Sequence, residues 1–145
     1  MSPPTLLAIL EIYLEAFAEH DRDRRIDLLS RSLVERGEIW GPNKLFAGYV
    51  AISEKIEGFH RNWPNCRLVL TSGFITFGNF ARFGNAIVGG DGSVLARGQT
   101  IIELAPDGRI SRVAPLWEVT LPPVPESWPQ HLAVRKPVDA RELAQ

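Results

Sequence analysis

This chain of 145 residues has one cysteine and one methionine, and its charges nearly cancel. A lone cysteine, Cys66, excludes an intrachain disulfide and fits a reducing compartment. With 16 basic and 17 acidic residues the net charge is -1, so no overall field favours nucleic acid or an anionic membrane. No apolar run approaches the roughly 18 to 20 residues that a membrane span needs. The first residues lack the basic and apolar regions of a signal peptide, so the expected location is cytoplasmic. There is no G-x-S-x-G elbow, no H-E-x-x-H, and no Cys or His pair at metal-ligand spacing. Gly89-Gly90-Asp91-Gly92 has no following Gly-Lys-Ser/Thr and opens no helix, which argues against phosphate binding. Aromatics do not interleave with a basic stripe, so no nucleic-acid partner is expected, and no cofactor is expected either.

What is present is the patterning of a folded domain, with 45% apolar and 23% charged residues. Ser2-Pro3-Pro4 can start a helix, and Leu6, Ile9, Leu10, Tyr13 and Phe17 then recur at helical spacing to about residue 19. Asp21 or Asp23 can cap a second helix that turns Ile26, Leu29 and Leu33 inward and breaks at Gly37. The alternating run Asp21-Arg22-Asp23-Arg24-Arg25 reads as a solvated helix start. Glu38-Ile39-Trp40 reads as a short strand closed by Gly41-Pro42. A third helix spans about 48–62, with Ile52, Ile56 and Phe59 buried, and Trp63-Pro64-Asn65 stops it.

From Arg67 onward β-branched and aromatic residues alternate, giving strands at about 67–77, 80–89, 93–104 and 110–120. Gly90-Asp91-Gly92 and Pro106-Asp107-Gly108-Arg109 supply hairpin turns. The order α-α-β-α-β-β-β-β predicts an α+β domain over 1–120, a curved, mainly antiparallel sheet wrapped by three helices. Residues 121–145, with Pro122-Pro123-Val124-Pro125 and Ser127-Trp128-Pro129, read as a proline-stiffened tail with Trp128 as its anchor.

That order and its corner residues resemble the nuclear transport factor 2-like superfamily, which includes ketosteroid isomerase and SnoaL-like polyketide cyclase-like proteins. The resemblance covers about residues 5–119. It rests on Tyr13 eight residues before Asp21, Ile39-Trp40-Gly41-Pro42, Phe46-Ala47-Gly48, Thr71-Ser72-Gly73, Arg82-Phe83 and Asp107-Gly108-Arg109-Ile110. It implies a cone-shaped α+β barrel with a pocket at its open end, and a homodimer formed through the outer sheet face. Aligned on ketosteroid isomerase, Tyr13 matches the oxyanion tyrosine, and Trp117 matches an aromatic of the pocket floor. Gly41 stands where the aspartate base belongs and Thr100 where the second aspartate belongs, so that isomerisation mechanism lacks both its acids. By spacing from Arg82-Phe83, the His-His pair of cyclase-like relatives falls on Phe77 and Gly78, and their acid on Ile75. An epoxide-hydrolase-like set of two carboxylates and an arginine does not assemble either. Arg82 and Arg97 are present, but Glu103 falls on the face opposite Thr100.

The candidates keep two readings each. Tyr13 either offers its hydroxyl to a ligand or is a core tyrosine bonded to backbone. Trp40 and Trp117 either line a pocket or fill the cone. Thr100 either orients a carbonyl or is an ordinary sheet threonine. His60 reads as a half-exposed helix-end residue and His20 as a partner of the first helix's carbonyl end. Cys66 reads as an inert thiol.

Three functions are thereby expected in order. The first is a small-molecule binding protein whose apolar pocket, with Tyr13, Trp40, Thr100 and Trp117, takes a neutral hydrophobic or aromatic ligand. The second is an isomerase, dehydratase or cyclase with a relocated acid–base group, Tyr13 and His60 first and Glu118 after them. The third is a dimeric interaction module with a filled cone, in which Ile101, Arg112 and Leu116 would matter more.

Overall fold

The structure is a computed structural model, and it describes residues 5–118 and 122–132. Ser2 lies outside the described residues. Thr5 caps α1 (Leu6–Ala18) by accepting from the Ala8 amide at 3.1 Å. Asp21 caps α2 (Arg22–Ser32) through the Arg24 amide at 2.9 Å. The third helix, α3 (Tyr49–Asn62), follows Gly48, whose φ of 86° suits a residue without a side chain.

The strands are β1 (Leu33–Trp40), β2 (Leu45–Ala47), β3 (Arg67–Leu70), β4 (Ile75–Phe77), β5 (Phe80–Val88), β6 (Val94–Leu104) and β7 (Ile110–Trp117). They form one sheet in the order β2-β1-β7-β6-β5-β3, with β4 also paired to β5. Every pair is antiparallel except β1 with β7. Register shifts at Leu33/Glu38, Ile87/Val88 and Glu103/Leu104 mark bulges, the device that bends a sheet. The result is the expected α+β architecture of a curved, mainly antiparallel sheet and three helices. The sheet path has two ends, so it is not a closed barrel.

Three sequence expectations change. The second helix ends at Ser32 rather than Gly37, and Leu33 is a buried strand residue. The Arg109 guanidinium donates to the carbonyls of Ser30 (3.1 Å) and Leu33 (3.4 Å), and the Tyr49 hydroxyl donates to Leu33 (2.9 Å). Those donors satisfy the carbonyls that the helix end leaves open. The single strand foreseen at 67–77 is two, β3 and β4, interrupted at residues 71–74. The three-residue β2 was not foreseen.

The charge run is the third. Arg25 is 1% exposed, not solvated. Its Nε donates to Ser53 Oγ (2.9 Å) on α3, and Nη2 to Glu57 Oε1 (2.7 Å) on the same helix. Its Nη1 donates to the carbonyls of Glu19 (2.9 Å) and His20 (3.5 Å), just beyond α1. One side chain therefore ties all three helices together.

Around it lies the core, with Ile9, Leu10, Leu29, Ile52 and Ile56 from the helices against Ile39, Ile102 and Val113 from the sheet. The opposite sheet face and edge expose Trp40, Ile75, Phe77 and Leu116, each about half or more accessible. Among the described residues no helix is long and apolar enough to cross a membrane. Residues 122–132 hold a turn and a single 3-10 turn, Gln130–Leu132, with Trp128 54% exposed.

Arg25→Ala removes the shared donor and leaves Ser53 and two carbonyls without it. Because Glu57 keeps access to water, we expect a loss near the lower end for a broken buried ion pair, about 3 kcal/mol. Thermal unfolding followed by circular dichroism should show a midpoint lower by roughly 10 °C, and an unchanged midpoint would remove the hub from this account.

Candidate functional site

The concave side of the sheet and helices α1 and α3 enclose a cavity of about 500 Å³. Helical periodicity brings Tyr13, Leu14 and Phe17 to it from α1, and Ala51, Gly58 and Phe59 from α3. Strand alternation brings Phe83, Asn85 and Ile87 from β5, Thr100 from β6, and Val113, Pro115 and Trp117 from β7. Tyr13, Phe17 and Phe59 make successive edge-to-face contacts at 5.1 and 6.0 Å, which fix the aromatic wall.

Of the four sequence candidates, Tyr13, Thr100 and Trp117 meet in this cavity. Trp40 does not. Its neighbour Ile39 is 1% exposed and lines the cavity, so alternation along β1 turns Trp40 outward, where it is 48% exposed. Trp117 stands against Gly98, where an added Cβ would come within 2.6 Å of the Leu116 carbonyl oxygen and 2.9 Å of the Trp117 ring.

Most of the lining is apolar, and its polar groups are few. Tyr13 is 6% exposed, and its hydroxyl makes no hydrogen bond among the described residues. Among the described residues no buried side-chain nitrogen or oxygen lacks a partner, so this hydroxyl opens on the cavity rather than being sealed in the core. Burial raises its pKa far above the ordinary tyrosine value, so it is a neutral donor. Thr100 Oγ1 donates to Asn85 Oδ1 at 3.2 Å, and both residues are buried. The amide nitrogen of Asn85 has no hydrogen-bond partner among the described residues. Asn85 was missed in the sequence. The signal was there: Ala81, Phe83, Asn85 and Ile87 occupy one face of β5, and one of the four is polar.

Among the described lining residues the one carboxylate is Glu54, which is exposed. Lys44 and Lys55 line the same side, both near the ring of Phe46. The positions matched earlier to cyclase-like acids fall elsewhere. Ile75 and Phe77 belong to the exposed strand β4, where Phe77 stacks on Phe80. His60 is not among the lining residues, and its Nε2 donates to the Phe17 carbonyl at 2.6 Å. It is thus His60, not His20, that takes the end of α1, while His20 stacks on the His60 ring at 4.1 Å. Glu118 is exposed in a second groove of about 940 Å³, with Arg82, Arg97 and Gln99 on the outer side of the sheet. Among the described residues no group of three His, Cys, Asp or Glu could hold a metal ion.

The geometry has solved counterparts. A structure from Agrobacterium tumefaciens strain C58, of the SnoaL-like family and provisionally named an isomerase, is 30% identical. The match covers 78% of this chain and 97% of that one, with a TM-score of 0.70. The chain belongs to the SnoaL-like family.

Other solved structures share the fold of this SnoaL-like protein at lower identity. An NTF2-like protein of unknown function from Exiguobacterium sp. 255-15 is 20% identical over 77% of this chain and 99% of its own, with a TM-score of 0.59. A protein from Sinorhizobium meliloti, provisionally named a polyketide cyclase, is 18% identical over 74% and 93%, with a TM-score of 0.56. No family model matches the chain, and a comparison with curated proteins finds no match.

The raised pKa of Tyr13 has a testable sign. Above about pH 10 the unfolded chain ionises this phenol while the folded chain does not. Stability is therefore unaffected by Tyr13 below that pH and falls as pH rises beyond it. Tyr13→Phe should flatten the decline in an alkaline series of denaturant titrations; an identical slope in both proteins would contradict the burial argument.

Proposed function

We propose that this SnoaL-like protein binds a small molecule whose neutral hydrophobic or aromatic body fills the cavity. The observation that carries this reading is the pair of unpartnered donors, the Tyr13 hydroxyl and the Asn85 amide, in an otherwise apolar hollow of about 500 Å³. Both donors open on the cavity rather than being sealed in the core, so each stands free for a partner brought by a guest. A ligand carbonyl or hydroxyl oxygen would supply that partner, while aromatic walls take the rest of the molecule.

A second reading is an isomerase- or cyclase-like enzyme, favoured by the neutral Tyr13 hydroxyl, which can donate to an oxyanion. Among the described lining residues the one carboxylate that could serve as base, Glu54, is exposed rather than buried with Tyr13. His60 is engaged with Phe17, and Glu118 lies in the other groove. Binding is therefore the better supported of the two.

A thermal-shift screen of hydrophobic and aromatic metabolites tests the proposal. A ligand at 100 times its Kd stabilises the fold by about 2.7 kcal/mol, a shift of several degrees. Trp117→Ala should lose that shift, and a screen in which no compound stabilises the wild type more than this variant would refute the pocket.

The reading carries with it a cytoplasmic protein that pairs through the outer sheet face, where Leu116, Ile75 and Phe77 are each more than half exposed. Light scattering after size exclusion should give twice the chain mass of 16.2 kDa, and Leu116→Glu should halve it. A monomer at all concentrations would end the dimer proposal.

A further inference from the structure

The mouth of the cavity carries a feature that an uncharged ligand would not need. Lys44, in the turn between β1 and β2, places its Nζ 5.0 Å from the centre of the Phe46 ring. Lys55 on α3 places its Nζ 4.9 Å from the centre of the same ring. The two ammonium groups are therefore within about 10 Å of each other, both beside the cavity that Phe46 helps to line.

Neither lysine has a carboxylate within 4.0 Å among the described residues. Among the described residues six other ion pairs join a carboxylate to an arginine that is at least a third exposed, and none of those acids is placed on either lysine. Lys55 is also half-buried, and that burial lowers its pKa. Two like charges gathered on one ring, one of them partly desolvated, form a site whose unmet need is a negative charge. The acid nearest in sequence, Glu54, lines the same side but is exposed and pairs with neither lysine.

We infer that the ligand is an amphipathic organic anion, with its apolar body in the cavity and a carboxylate held at the mouth between Lys44 and Lys55. This rests on the binding reading above and adds the charged end to it. Together Lys44, Lys55 and Glu54 give the mouth a net charge of +1, which matches one carboxylate better than a dianionic phosphate. No arginine is among the described lining residues, so the planar fork that grips phosphate bidentately is not offered. The lysines are point charges on flexible stems, suited to a head group at the edge of solvent.

The test compares two probes that share a body and differ in charge, 1-naphthaleneacetate and 1-naphthaleneacetamide. Dodecanoate and dodecan-1-ol give a second pair with an aliphatic body. Binding is read by quenching of tryptophan fluorescence, since Trp63 and Trp117 line the cavity. In the wild type at low salt the acid of at least one pair should bind at least tenfold tighter than its neutral partner. That ratio should fall severalfold in 0.5 M sodium chloride, because exposed charges are then screened. In the Lys44→Gln, Lys55→Gln double variant it should approach one, and the single variants should lie between. Should the double variant fold poorly, the wild-type ratio and its salt dependence still decide. Equal binding of acid and neutral probe overturns the anionic head group and leaves the apolar pocket standing. Absence of binding by both members of both pairs overturns the two together.

Discussion

The Arg25 guanidinium is the constraint on which the helical side of this fold depends. A buried cation is tolerated only when its donors are satisfied, and here they are met by α3 side chains and by the carbonyls that follow α1. That requirement sets where α1 and α3 sit relative to α2. It fixes, in turn, the distance between the Tyr13 face and the Phe59 face, which are two walls of the cavity. Hydrophobic burial drives the helices onto the sheet, but it has no direction. The hydrogen bonds of Arg25 supply one.

The sheet contributes the other walls by curvature. Bulges at three places bend it, and the concave face then carries one residue in two from β5, β6 and β7. On that face Asn85 and Thr100 satisfy each other in part. The remaining amide of Asn85 and the hydroxyl of Tyr13 give an apolar chamber two fixed donors, and the lysines at Phe46 give its mouth a positive edge. Each lies on a different element, so the site exists only in the assembled fold.

Much of this was legible in the sequence because periodicity is a local property. Tyr13 falls on the apolar stripe of its helix by counting, while Thr100 and Trp117 were placed by the family resemblance. For Trp40 the count was decisive and was not made: with Ile39 buried, the next residue on a strand must point away. Other features were not local. Arg25 sits in a run of alternating charges that looks solvated, and its partners are 28 and 32 residues away at Ser53 and Glu57. The strand β2 is three residues long and exists because β1 pairs with it. Asn85 was visible as a polar residue on a buried face, but its meaning depends on what stands opposite, which only the register supplies.

Trp117 and Phe83 each belong to two hollows, the chamber under the helices and the groove that holds Arg82 and Arg97. These rings are a party wall. A shared partition cannot retreat to admit a bulkier guest on one side without advancing into the room on the other. On the Gly98 side the Trp117 indole has little freedom to lean, since the ring already stands against bare backbone. The capacities of the two spaces are thus reciprocal.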